Sequence, residues 1–157
     1  MPKLGSMPQP GGRIWLRALS RVVWLVALAT LALPAGAVTL AREGRAPATL
    51  FLAVGATAAE ETGAQELAAY LSQVTGATFT VTREGQGTAR GASIYVGPTR
   101  FAAGQGIDCT KLGPEEWVMR TVGDSLILAG GRPRGTLYAV YRFLEDVIGV
   151  HWWNAYE

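Results

Sequence analysis

Thr49-Leu-Phe-Leu-Ala-Val54, then Gly55-Ala56, then Thr57-Ala-Ala-Glu60, with Leu67, Tyr70, Leu71 and Val74 following at helical spacing and Gly76 behind them, is the stretch that decides the fold. Its first six residues are a short apolar run rich in strand formers. A Thr followed three residues later by Glu has capping-box form: the hydroxyl accepts from the Glu60 amide while the carboxylate reaches back to the Thr57 amide. The apolar repeat marks one face of a helix, and Gly76 suits the left-handed residue that closes it. The predicted unit is a strand followed by a helix over about residues 58–75.

Downstream, Thr78-Phe-Thr-Val-Thr82 alternates and is rich in β-branched residues, so it reads as a strand with one face toward the helix. Arg83 to Gly91 is a polar, glycine-bearing loop, and Ala92-Ser-Ile-Tyr-Val-Gly97 is a third strand stopped by Gly97-Pro98. Thr99 to Pro114 reads as a long surface connection holding at most a short helical turn. Glu116–Val122 and Ser125–Ala129 then flank Gly123-Asp124, whose leading glycine suits a type II′ hairpin turn. After Gly130-Gly131 a second helix is expected, with a stripe of Leu137, Val140, Tyr141, Leu144, Val147 and Ile148 ending at Gly149. Glu145 and Asp146 lie at the unfavourable end of its dipole, which calls for a basic neighbour or for solvation. The order predicts an α+β fold: a mixed β-sheet of four to five strands with two main helices packed on it.

Upstream, Lys3, Arg13, Arg17 and Arg21 precede the apolar run Val22–Leu33, which Pro34 breaks and Ala35-Gly36-Ala37 follows. That is the layout of a secretory signal peptide cut near Ala37. Twelve helical residues rise only about 18 Å, short of the roughly 30 Å of a bilayer core. The expected organisation is a signal peptide over 1–37, a linker over 38–48, a domain over 49–150 and a junction over 151–157, with a secreted or periplasmic product that meets the membrane only during export. Of fourteen Lys/Arg the leader carries four, leaving ten against twelve Asp/Glu, or about −2. The positive charge of the whole chain therefore belongs to the leader, and it gives no argument for nucleic acid as a partner. The remaining 120 of 157 residues suffice for one core and not for two.

Few residues carry chemistry. Cys109 is the sole cysteine and His151 the sole histidine, 42 positions apart, which matches no metal spacing and makes a poor nucleophile–base pair. No cofactor is expected. Glu60-Glu61 and Glu115-Glu116 are adjacent carboxylates that point apart on a regular element, so helix and strand starts explain them better than acid–base chemistry. Ala129-Gly-Gly-Arg-Pro-Arg-Gly-Thr136 invites an anion-binding reading through Arg132 and Arg134, but Thr136 stands where a phosphate loop needs its lysine. A tight turn explains its glycines. The candidate ligand-binding residues are Arg134, His151, Trp152 and Trp153, since aromatic faces stack on sugars and a neighbouring histidine can hydrogen-bond a ligand. The alternative is that His151-Trp-Trp153 packs against something that follows it.

Read together, Leu126-Ile-Leu-Ala-Gly-Gly131, Arg134–Glu145 and Gly149-Val-His-Trp-Trp153 resemble the N-terminal α/β domain of large secreted carbohydrate-active proteins. These are the family 67 α-glucuronidases, the second domain of family 20 β-N-acetylhexosaminidases, and proteins carrying the domain DUF4838. Glu66–Gly76, Ile94–Thr99 and Leu112–Trp117 follow the same pattern in the same order, covering nearly all of the chain after the leader. The resemblance implies an accessory domain preceding a (β/α)₈ barrel, and the barrel holds the acid–base carboxylates. No catalytic residue carries over to this chain. The implied function is a non-catalytic accessory domain within a longer glycoside hydrolase-like parent that degrades polysaccharide or glycan, the alternative being a stand-alone periplasmic carbohydrate- or protein-binding module.

Overall fold

The computed structural model describes residues 38–45, 48–89 and 91–152. Five strands form one mixed sheet: β1 (Thr49–Leu52), β2 (Val81–Arg83), β3 (Ser93–Val96), β4 (Trp117–Val122) and β5 (Ser125–Gly130), in the order β2-β1-β3-β5-β4. All neighbours are parallel except the β4–β5 hairpin. Register places Leu50, Ile94 and Leu126 in one row and Leu52, Val96 and Leu128 in the next, all buried on the same face. Two helices cover that face, α1 (Ala58–Thr75) and α3 (Gly135–Phe143), contributing Ala64, Leu67, Leu71, Ala139, Val140 and Phe143 to the core. The α+β expectation holds, with two main helices on the sheet.

Residues of the opposite parity face the other way. Phe51 stacks on Tyr95 and Tyr95 on Phe101, while Ala102 and Ile107 bury Ile127 and Ala129. The covering residues belong to the short helix α2 (Arg100–Gly104) and a 3₁₀ turn (Cys109–Lys111). Both lie in the stretch expected to be a long surface connection holding at most a short helical turn. A parallel strand buried on both faces needs a second cover, and this connection supplies it. Its helical entry is fixed by Thr99 Oγ1, which accepts from the Ala102 amide at 3.1 Å, and by the Glu84 carboxylate, which accepts from the amides of Arg100 and Phe101.

Helix α1 matches its prediction end to end. The Thr57 amide donates to Glu60 Oε2 at 2.7 Å, the Glu60 amide reaches Thr57 Oγ1, and Gly76 closes the helix at φ +71° with its amide on Ser72. Val74, expected in the buried stripe, is 58% exposed. Eighteen residues make a helix about 27 Å long, whereas a four-residue strand spans about 13 Å. The last turns of α1 therefore overhang the sheet.

The hairpin also forms as expected: Val122 pairs with Ser125 across the two-residue loop, Gly123 takes φ +55° and Asp124 keeps a negative φ. Helix α3 departs from its prediction at Leu144, where it widens into a π-helical turn through Ile148 before Gly149 caps it at φ +82°. The amide of Gly149 bonds to the Leu144 carbonyl five residues back. A turn one residue wider shifts the side chains off a 3.6-residue period. Leu144 stays buried, Ile148 half-buried, and Val147 emerges 60% exposed. Arg142 supplies the basic neighbour for Glu145 (3.0 Å) and Asp146 (3.3 Å).

Two further expectations change at strand edges. Regular pairing of β2 begins at Val81 and not at Thr78, although Phe79 is buried and the Thr80 carbonyl already accepts from Leu50. Val38, Leu40 and Ala41 pack against the core and Arg42 pairs with Arg45 around a tight turn, so this part of the expected linker is joined to the domain. The expected leader, 1–37, and most of the expected junction, 153–157, lie outside the described residues.

Candidate functional site

The parallel strands point their C-terminal ends at one edge of the sheet, here the upper edge. After β1 the chain turns to one face to build α1, and after β3 it turns to the other to build α2. Where successive connections diverge in this way, an open α/β sheet leaves a crevice that commonly receives a ligand. In this domain the crevice is filled from within. Glu60, 1% exposed, lies against Gly97, so that a β-carbon there would sit 3.5 Å from its carboxyl carbon. Arg132, arriving after β5, closes on it with two hydrogen bonds of 3.1 Å, Nε to Oε1 and Nη2 to Oε2, and its Nη2 also donates to the Gly55 carbonyl at 2.7 Å. The hydrogen bonds to the Glu60 carboxylate hold the Arg132 guanidinium above its ordinary pKa, against the opposing effect of burial. Glu61, the adjacent carboxylate, instead pairs with Arg83.

The glycine-rich turn that delivers Arg132 is held by close backbone approach. A β-carbon at Gly130 would collide with the backbone of Gly135, one at Gly131 with the carbonyl of Gly113, and one at Gly135 with the carbonyl of Glu116. The amides an anion would need are engaged: Gly131 donates to the Glu116 carbonyl, and Arg134 and Gly135 donate to the Pro114 carbonyl. The turn reading explains this segment without a phosphate.

Beside the ion pair are two shallow hollows, one of about 420 Å³ bordered by Pro98, Ile107 and Asp108, the other of about 270 Å³ bordered by Leu112 and Arg132. Cys109 and Thr110 line both. Burial pushes the Cys109 thiol above its usual pKa, and the Glu60 carboxylate pushes the same way, against the Gly130 amide and Arg132. A thiol so placed is a poor nucleophile at neutral pH. The Thr110 hydroxyl and amide hold the neighbouring Asp108 carboxyl below the usual range.

The expected ligand residues do not converge. Arg134 stands exposed at the start of α3, at the upper edge. Trp152 packs at the far end of the same helix, edge-on to Tyr141 at 5.3 Å and to Tyr70 of α1 at 5.8 Å, its Nε1 donating to the Tyr70 hydroxyl at 3.2 Å. Seven residues of helix, about 10 Å, separate Arg134 from Tyr141. His151 is exposed beside Trp152, and Trp153 lies outside the described residues. Cys109 and His151 sit apart as well, the former half-buried against the cluster on the α2 side of the sheet and the latter next to Trp152, which packs at the end of the α1–α3 layer. Among the described residues no three His, Cys, Asp or Glu side chains come together as a metal site would need.

The sequence reading missed the Glu60–Arg132 pair. Each residue was visible singly, Glu60 as a cap and Arg132 as a cation in a weighed anion-binding reading, but they are 72 positions apart in sequence and only the sheet order brings them together.

Comparison with known proteins gives one family and no curated relative. No curated protein matches the chain. Residues 37–143 match the family described as glycosyl hydrolase family 67 N-terminus, a span that takes in the sheet, helix α1 and helix α3 through its last residue. With more than half of its length matched, this chain belongs to the glycosyl hydrolase family 67 N-terminal domain family.

Proposed function

We propose that this chain is the non-catalytic N-terminal accessory domain of a secreted glycoside hydrolase whose (β/α)₈ catalytic domain, carried in a longer parent chain, acts on polysaccharide or glycan. The observation that carries the reading is the match of residues 37–143 to the family 67 N-terminus. Two features of the upper edge support it. The crevice where a fold of this kind commonly takes a ligand holds the domain's own ion pair, and the one thiol beside it is shifted away from reactivity. The export part of the proposal rests on residues 1–37, and the family match begins where that leader would end. Edman sequencing of the exported product should start at Val38; a product retaining Met1 would refute the cleaved leader. The accessory role is tested by assaying uronic-acid and reducing-sugar release by the full chain alone, by a family 67 catalytic domain alone, and by the two together. The chain alone should release nothing and should raise the thermal stability or activity of the catalytic domain. Hydrolysis by the chain itself would overturn the reading.

The second reading, a self-sufficient carbohydrate-binding module in the periplasm, is favoured by Trp152, which stays 46% exposed. Glycan-array binding that is lost on Trp152→Ala with the fold intact would select it.

A further inference from the structure

The ion pair plugs the crevice itself but not the hollows beside it. Three hydrogen bonds fix the Arg132 guanidinium: Nε and Nη2 donate to the buried Glu60 carboxylate, and Nη2 donates also to the Gly55 carbonyl. Nη1 makes no hydrogen bond among the described residues, so two of the N–H donors that a guanidinium carries stay open. The side chain is 48% exposed and borders the smaller hollow together with Pro98 and Leu112. A solvated arginine loses rotamer freedom when it takes a ligand. This one is already held, so its open donors are pre-organised.

Pro98, Cys109 and Thr110 border both hollows, which therefore adjoin as one groove leading away from Arg132 on the α2 side of the sheet. The larger hollow, about 420 Å³, is of a size that small-molecule sites commonly have. Its walls are mainly apolar, with Ile107 and Pro98 beside the Cys109 thiol, which burial keeps protonated. The polar groups at its rim are already engaged. The Thr110 hydroxyl donates to Asp108 Oδ1 at 2.6 Å, and Lys111 Nζ lies 3.4 Å from Asp108 Oδ2. A hydroxyl-rich ligand would leave its own groups without partners against such walls, whereas an apolar body would not. At the Arg132 end the open donors call for a charged acceptor. A phosphate needs more donors than one nitrogen supplies, and the amides of Gly131, Arg134 and Gly135 are bonded elsewhere. A carboxylate needs no others.

We propose that this groove binds a small carboxylate with a compact apolar body, the carboxylate accepting from Nη1 of Arg132 and the body lying against Pro98, Ile107 and Leu112. The site binds and does not react, and it involves no catalytic domain, so it stands or falls separately from the accessory-domain reading. The test titrates benzoate into the full chain by calorimetry and follows iodoacetamide labelling of Cys109, the sole cysteine. Saturable binding is expected, with labelling slowed several-fold at saturation and with benzamide, the uncharged analogue, about tenfold weaker. Removing Arg132 would strip Glu60 of its partner, so the groove is probed at Thr110, which is exposed on its rim. Thr110→Glu should weaken benzoate about tenfold by like-charge repulsion, while Thr110→Gln, of the same size, should change it less than about threefold. A thermal melt checks that both variants fold. No binding at about 50 mM benzoate overturns the site. Equal affinity for benzamide overturns the role of Arg132, and tighter binding of inorganic phosphate or of glucuronate overturns the ligand class. Binding that leaves Cys109 labelling unchanged, or that is indifferent to Thr110→Glu, lies elsewhere and overturns the proposal.

Discussion

Removing either half of the Glu60–Arg132 pair should destabilise the domain, and by unequal amounts. The Glu60 carboxylate is 1% exposed and accepts three hydrogen bonds, from the Thr57 amide and from Nε and Nη2 of Arg132, whereas the Arg132 side chain is 48% exposed. Glu60→Gln keeps the shape but exchanges one acceptor oxygen for a donor amide, so at least one of the three bonds is lost and the others lose their charge. Hydrogen bonds to charged groups contribute roughly 1.5–3 kcal/mol each, and the half-exposed guanidinium recovers part of its loss from water, giving an expected cost of about 2 kcal/mol. Arg132→Ala leaves a buried carboxylate with the Thr57 amide alone, and breaking a buried pair from that side costs roughly 3–5 kcal/mol. The double variant should cost less than the sum, because the residues share one interaction. Urea denaturation followed by far-ultraviolet circular dichroism measures all three on one scale. A cost below about 0.5 kcal/mol for Glu60→Gln would place it among ordinary surface changes and sink the plugged-crevice argument. A larger loss for Glu60→Gln than for Arg132→Ala would refute the asymmetry drawn from burial.

Four other outcomes follow from particular residues. Gly130→Ala drives a methyl group into the Gly135 backbone and should cost more than about 3 kcal/mol, whereas Gly76→Ala meets open space and has only its φ of +71° to oppose it, about 1 kcal/mol; comparable melting shifts would contradict this contrast. Leu144→Ala, at a fully buried position, should cost roughly 2–5 kcal/mol, while Val147→Lys on the same turn should stay within about 0.5 kcal/mol in chemical denaturation. Cys109 should react with iodoacetamide at pH 8 more slowly than an unstructured thiol and speed up in urea; equal native and unfolded rates would mean that burial does not protect it. Tyr141 is pushed up to about 12 by burial first and by Glu66 second. A raised folded pKa means its stabilisation is complete below about 10, the unfolded value, and is lost as pH climbs toward 12. The stability of Tyr141→Phe should therefore fall less over that interval, and phenolate absorbance should show wild type ionising one tyrosine later than the rest.

The elements that the sequence determined by itself are those whose information is local. The Thr57–Glu60 box, the 58–75 helix, Gly76 and the Gly123-Asp124 hairpin involve residues close together in the chain, so short-range sterics and hydrogen bonding specify them without reference to which strands are neighbours. The resemblance was legible for a similar reason: it was carried by short runs of turn and packing residues, among them Gly130, Gly131 and Gly135, where backbones touch in this chain.

What the sequence left open depends on which strands become neighbours. Placing β3 between β1 and β5 brings the start of α1 and the turn after β5 to the same edge, and turns the helix cap Glu60 and the arginine Arg132 into the plug of a crevice. The same arrangement gives the 99–114 connection a second sheet face to cover, which its weak periodicity did not announce. Length against length decides the rest: α1 outruns the strands it crosses, so Val74 lies on the apolar stripe yet has no sheet beneath it. Arg134 and Trp152, grouped in sequence as ligand residues, sit at opposite ends of α3 because a helix converts separation along the chain into distance along its axis. Pattern reports which face of an element is apolar, and only the tertiary arrangement decides what that face meets.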